Sequence, residues 1–331
     1  MTPSPGLAMT PSPDLAKSAK LDGGDTIDAN DTITAIGGVR VGHWTDLSAR
    51  TGCSVVLLPD EGAITSGMAL GAAPGSRESA LLAPEKSVER THALVLAGGS
   101  AFGLAAAHGV MRVLEARGVG HPTPAGPVPI VPAAVLYDLM VGDPRVRPGE
   151  REGAAAAESA SAAPVALGAV GAGAGATVGK LVGGFAAAVP SGLGSALMNV
   201  DAAMVGALAV SNAAGDLVDP SDGALVAGSG LCADPARVSG LVDTLSGTNT
   251  TLVVVVTDAP LTKSQAHALA QTAHIGIARV TQPSHTVHDG DTTFVASTGR
   301  GPRVALGMLG VAVQEVVARA LLRGARAVRE A

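Results

Sequence analysis

Asn249-Thr250-Thr251 runs directly into Leu252-Val253-Val254-Val255-Val256. Five apolar residues, four of them β-branched, predict a buried strand. The preceding Ser246-Gly247-Thr248-Asn249 are turn formers. A hydroxyl side chain therefore stands at the mouth of a buried strand, just after a polar turn. If the bond before Thr250 were cut, Thr250 would gain a free α-amino group. Such an amine has a pKa of about 7.7–8.0 and can serve as base for its own hydroxyl. On the triplet alone an ordinary strand start is the stronger reading, because Asn, Thr and Gly are common there.

The surrounding chain is built for a layered fold. With 331 residues it can bury a large core. Hydrophobic residues make up 47% and charged residues 15%, yet aromatics only 2%, beside 44 glycines. The core must come from Ala, Val and Leu with closely approaching backbones, which suits an α/β architecture with a mixed sheet. Net charge is −6, and no basic stripe or aromatic platform exists, so nucleic acid is not an expected partner. Cys53 and Cys232 lie far apart and outside any CxxC spacing, as buried thiols of a reducing cytoplasm would. No apolar run approaches the roughly 18–20 residues of a membrane helix. Residues 1–30 lack the apolar segment of a signal peptide. They hold a duplicated octad, Met1–Ala8 and Met9–Ala16, rich in Pro and Ser, which predicts a disordered tail. Residues 31–331 are expected to form one domain.

Buried strands are predicted at 54–58, 92–96, 204–210 and 252–256. Helices are predicted from a Ser100 cap to a Gly118 stop, over 150–163, from a Thr262 cap to His274, and over 309–328.

Several motifs are approached and missed. The glycine-rich stretch 168–180 lacks the spacing of a phosphate loop, since Ala174 stands five before Gly179 and Leu181 follows Lys180. Its glycines suit a tight loop with close backbone approach. Gly98-Gly99-Ser100-Ala101-Phe102 misses the nucleophile elbow by one position. His288-Asp289-Gly290-Asp291 lacks the further oxygen ligands of a calcium loop. No pair of histidines has the HExxH spacing, so a catalytic zinc is not expected. In an extended segment Asp289 and Asp291 share one face, but from the residues alone a solvated Asp-Gly-Asp turn is the favoured reading.

Taken in order, Gly98–Leu104, Val135-Leu136-Tyr137-Asp138, Gly179-Lys180, Val210-Ser211-Asn212, Asn249-Thr250-Thr251, Thr257-Asp258-Ala259-Pro260-Leu261 and Asp289-Gly290-Asp291 resemble the DmpA-like family of self-processing aminopeptidases and amidases. That family includes L-aminopeptidase/D-esterases, β-aminopeptidases and endo-type nylon-oligomer hydrolases. The resemblance spans about Thr32 to Val328. It implies a four-layer αββα sandwich like that of the amino-terminal-nucleophile hydrolases. It implies cleavage between Asn249 and Thr250 into parts 1–249 and 250–331, with Thr250 the nucleophile and Thr251 the runner-up. By the same resemblance Asn212 would donate to the oxyanion and Tyr137 would add a polar contact. Lys180 would tune the nucleophile or hold Asp289. Asp289 and Asp291 would orient the Thr250 amine. A homotetramer of processed protomers, acting without a cofactor on small amides or peptides, is implied as well. The Asn-Thr cleavage pair and Asp-Gly-Asp resemble the nylon-oligomer hydrolases, whereas the 257–261 segment is closer to the aminopeptidases. Transfer of the acyl group to an amine, as in ornithine acetyltransferase, and a non-catalytic protein that keeps the scaffold are the competing readings.

Overall fold

A computed structural model describes residues 30–231 and 247–330. The predicted tail up to residue 29, and Cys232, lie outside the described residues. In chain order the strands are β1 (Arg40–Asp46), β2 (Thr51–Leu57), β3 (Ala63–Ala69), β4 (Gly75–Arg77), β5 (Arg90–Thr91), β6 (Ala93–Ala97), β7 (Ala133–Val135), β8 (Thr177–Val178), β9 (Val189–Pro190), β10 (Leu193–Val200), β11 (Ala203–Asn212), β12 (Asp216–Val218), β13 (Leu225–Ala227), β14 (Thr250–Thr257), β15 (Thr281–Gln282) and β16 (Thr292–Ser297). The α-helices are α1 (Ala106–Ala116), α2 (Glu150–Glu158), α3 (Lys263–Val280) and α4 (Leu306–Arg329).

Side-chain alternation in the opening stretch decides the layering. Leu252, Val254 and Val256 point to one face of β14 and pack with Val56, Leu94, Leu96, Leu208 and Phe294. Val253 and Val255 point to the other face, against Ile277 of α3 and Val313 and Val317 of α4. Each fully buried Val or Leu contributes roughly 1.5–3 kcal/mol. A third apolar layer joins Cys53, Val55 and Val95 to Val110 and Leu114 of α1 and Ala156 of α2. Two sheets thus face each other, each covered by a helix pair on its outer side. This is the four-layer αββα sandwich. One sheet has the order β1-β2-β6-β7-β4, the other β10-β11-β14-β16-β3-β5. β14 lies inside the second, antiparallel to β11 and parallel to β16.

Where the element boundaries differ from expectation, a tertiary contact is the cause. Ser100 does not cap an α-helix. It sits at φ 53 after Gly99 at φ 80, a short 3-10 turn follows, and α1 begins at Ala106. The Asp138 carboxylate pins this turn by accepting from the Gly99 N–H and the Thr51 hydroxyl, each at 2.7 Å. α2 stops at Glu158 because the chain turns to pair Ser161 with Val41 of β1. Thr262 does cap α3, exchanging side-chain bonds with Gln265. That helix runs past His274 to Val280, because Ile277 and Val280 continue its buried face. Gly118 follows α1 at φ 72, the expected stop. The glycine-rich stretch is a close-packed loop. A Cβ on Gly175 would lie 2.1 Å from the Arg50 carbonyl oxygen.

Candidate active site

Thr250 opens β14 opposite Asn212, the last residue of β11. One residue earlier, Asn249 bridges Asp289. Hydrogen bonding in the two ladders therefore brings Asn212, Asn249, Thr250 and Asp289 together across 77 residues of sequence, counted from 212 to 289. All four are buried, as is Asp291.

The bond before Thr250 is gripped from two directions. The Thr250 hydroxyl donates to the Asn249 carbonyl oxygen at 2.5 Å. The Gly290 N–H donates to the same oxygen at 2.8 Å. Gly290 is required here: a Cβ would meet the Ala73 carbonyl oxygen at 2.4 Å and the Thr250 Oγ1 at 2.9 Å. The Thr251 hydroxyl, on the alternate face, lies 3.4 Å from Ser211 Oγ.

Lys180 has no exposed surface. Gly179 before it takes φ 78, and the flanking amides of Gly179 and Leu181 pair with the carbonyls of Gly215 and Ala214. The side chain is turned inward, where Nζ donates at 2.9 Å to the Thr177 carbonyl, the Asn212 carbonyl and Asn212 Oδ1. Burial pushes its ammonium down to about 7, with the Asp289 charge pulling partly the other way. Lys180 thus orients Asn212 directly and acts on Asp289 only through charge. With Oδ1 so fixed, Asn212 Nδ2 donates to the Tyr137 carbonyl at 3.0 Å and the Thr248 carbonyl at 3.2 Å. Tyr137 serves Asn212 through its backbone, while its ring faces Phe185 with centroids 6.1 Å apart.

The two aspartates play different parts. Asp289 accepts from the Ala214 N–H at 3.2 Å, and from the Thr286 N–H and hydroxyl at 2.8 and 2.6 Å. Its carboxyl is raised above the usual range by burial and then by the charge of Asp291. Asp291 accepts from the Thr251 N–H at 2.5 Å and from His285 Nδ1 at 2.7 Å. In the uncut chain neither carboxylate bonds Thr250 itself.

The structure therefore gathers Tyr137, Lys180, Asn212, Asn249, Thr250, Asp289 and Asp291 at one strand mouth. Sequence reasoning missed the Gly290 amide, Thr177, Thr286 and His285. Ser284-His285-Thr286, just ahead of Asp289 and Asp291, was the signal available. Two clefts lie away from this strand mouth, one of about 510 Å³ beside Arg112 and Glu150, one of about 540 Å³ beside Arg279 and Arg323.

The sandwich fold, a peptidase family match and an oligomer endohydrolase among the relatives together mark the chain as a hydrolase of amide bonds. The chain belongs to Peptidase family S58, whose family model matches residues 31–331. It is 40% identical over 327 residues to an uncharacterized aminopeptidase of Mycobacterium tuberculosis, covering 88% of this chain and 93% of the relative. It is 30% identical over 315 residues to the 6-aminohexanoate-oligomer endohydrolase of Paenarthrobacter ureafaciens, covering 88% and 85%. In fold it resembles the L-aminopeptidase D-Ala-esterase/amidase of Ochrobactrum anthropi, described as a variant of the Ntn (amino-terminal-nucleophile) hydrolase fold. The TM-score is 0.69 at 18% identity, over 89% of this chain and 85% of that one. Among the described residues no helix is long and apolar enough to cross a membrane.

Proposed function

We propose that residues 31–331 form one hydrolase domain that cuts itself between Asn249 and Thr250 and then uses Thr250 as nucleophile. The observation that carries this reading is the grip on the Asn249 carbonyl, with the Thr250 hydroxyl at 2.5 Å and the Gly290 N–H at 2.8 Å from its oxygen. The N–H polarises the carbonyl as an oxyanion donor does. Thr250 Oγ1 gives up its proton and bonds to the carbonyl carbon, the C–N bond breaks, and the departing nitrogen takes up that proton to become the new α-amine. Water then hydrolyses the ester, leaving a carboxylate on Asn249 and restoring the hydroxyl.

In turnover the Thr250 amine takes the hydroxyl proton, the hydroxyl attacks a substrate amide, and an acyl-enzyme forms that water resolves. Asn212, the ladder partner of Thr250, is the side-chain donor to the oxyanion. Lys180 holds Asn212, and Asp289 and Asp291 supply negative charge for the new ammonium. Small peptides and amides of ω- or β-amino acids are the substrate class. The Asn249-Thr250 pair and Asp289-Gly290-Asp291 support oligomer cleavage of the nylon type. The higher identity to the mycobacterial aminopeptidase supports release of amino-terminal residues. The family resemblance supports a homotetramer of processed protomers, which light scattering on the purified protein tests, and two cysteines outside any CxxC spacing suit a reducing cytoplasm.

Intact mass is the deciding experiment. Wild type gives two fragments split before Thr250, and Thr250→Ala gives one uncut chain without amidase activity. An uncut wild type with full activity sinks the reading. Dependence of turnover on an added amine acceptor would instead point to acyl transfer.

A further inference from the structure

His285 lies outside every role assigned above, yet both of its ring nitrogens face acceptors. Nδ1 is 2.7 Å from Asp291 Oδ2, and Nε2 is 3.2 Å from the carbonyl oxygen of His274. A neutral imidazole carries one N–H and satisfies one of these contacts. A carbonyl oxygen never donates, so Nε2 must carry a proton. The contact at Nδ1 then needs a second proton, either on the ring or on Asp291. The other contacts of Asp291 decide. Its Oδ2 also receives the His285 N–H at 3.3 Å, and its Oδ1 receives the Thr251 N–H at 2.5 Å. Both carboxyl oxygens thus already act as acceptors of N–H bonds, which leaves the ring as the donor across the Nδ1 contact. The proton belongs on the ring, and the pair is imidazolium and carboxylate.

We propose that His285 is a positioning residue for hydrolysis at Thr250: as an imidazolium it fixes Asp291, whose other oxygen anchors the Thr251 amide beside the nucleophile. The proposal rests on the reading of Thr250 given above. Its physical reason is chain fraying. Cleavage before Thr250 removes the covalent tether of β14, and new chain ends are mobile unless tied down. The Thr251–Asp291 bond is the side-chain anchor one residue from that new end.

The surroundings agree. His285 holds φ 53, a left-handed backbone uncommon outside glycine, which persists only where neighbours enforce it. From α3, His274 meets the ring edge-on at 4.9 Å between centroids. Burial lowers His274 to about 4, so it stays neutral and adds no repulsion. Asp289 contributes a second negative charge. Burial alone would lower the His285 value, but the hydrogen bond and charge of Asp291 outweigh it, and the net shift is upward.

Two measurements test this. In the ring nitrogen NMR spectrum of wild type, His285 should show two protonated nitrogens at neutral pH and lose one as pH rises. A single ring proton at neutral pH overturns the proposal, and this readout stands even if no variant folds. For His285→Gln that processes, kcat on a small amide should fall between about ten- and a hundredfold, in the range that small misplacements cost. The alkaline fall of wild-type kcat tied to His285 should vanish with it. Unchanged kcat and an unchanged pH profile overturn the proposal. Full activity of Thr250→Ala would remove the nucleophile reading, while the ring spectrum would still report on His285.

Discussion

Asn212 donates its side-chain amide to the Thr248 carbonyl oxygen at 3.2 Å, two residues ahead of the proposed scissile bond. Its second amide proton goes to the Tyr137 carbonyl. In the uncut chain the donor is therefore occupied, in part by the segment that cleavage would free to move away. Lys180 keeps the amide group oriented by holding Oδ1 at 2.9 Å.

Asn212→Ala removes this donor and leaves Lys180 with one acceptor fewer. Loss of one oxyanion donor costs about a hundred- to a thousandfold in kcat. The expected outcome is a comparable fall in amide hydrolysis by the processed protein, measured beside wild type at saturating substrate. Turnover within threefold of wild type, an allowance of about 0.7 kcal/mol, would remove Asn212 from the oxyanion role.

Gly290→Ala should block processing. The added methyl meets the Ala73 carbonyl at 2.4 Å and the Thr250 hydroxyl at 2.9 Å, and neither lies on a flexible tail. Something must shift, at about 1–3 kcal/mol, and the N–H on the Asn249 carbonyl shifts with it. Mass spectrometry should find the uncut chain accumulating. Complete cleavage at the wild-type rate would show that this N–H plays no part.

A layered α/β fold with a mixed sheet was legible because buried strands and capped helices depend on local chemistry, whereas the four-layer order came only with the family resemblance. Val253 to Val256 alternate between two buried faces, and Thr262 and Gln265 cap a helix from neighbouring positions. The gathering of Asn212, Thr250 and Asp289 was legible only through the ordered family motifs, because strand pairing that joins distant residues leaves no local trace. Gly290 was hidden for another reason. Attention to Asp289 and Asp291 as carboxylates passed over the backbone N–H between them. His285 was hidden because its value depends on the His274 carbonyl, which α3 supplies. Ser100 misled because its partner, Leu136, and the pin at Asp138 come from a different part of the chain.

Lys263 offers a test of stability separate from chemistry. It is buried at the first turn of α3, and its Nζ donates to the carbonyls of Leu81, Lys86 and Val88 at 2.7–2.9 Å. One ammonium thus closes the 81–88 loop onto the helix. Lys263→Met keeps the stem and removes three charge-assisted bonds, each worth about 1.5–3 kcal/mol before rehydration of the loop offsets part of the loss. A melting temperature several degrees lower is expected, with kcat retained. An unchanged melting temperature would show that the loop closes without the clamp.

Lys180 gives a pH dependence with a defined sign. Its folded value is near 7 against an ordinary 10.5, because burial disfavours the charge. Between those two values the unfolded chain holds a proton that the folded chain does not. Stability must then rise with pH across that window. The uncut Thr250→Ala protein is the right background, since one chain unfolds rather than two fragments. Its urea midpoint should rise between about pH 7 and about pH 9 relative to the same protein carrying Lys180→Met, whose side chain does not titrate. Parallel curves for the two would mean that Lys180 keeps its ordinary value. A buried ammonium near 7 also changes charge in the range where the Thr250 amine must be neutral to act as base. The same substitution should therefore displace the pH optimum of amide hydrolysis in the processed enzyme.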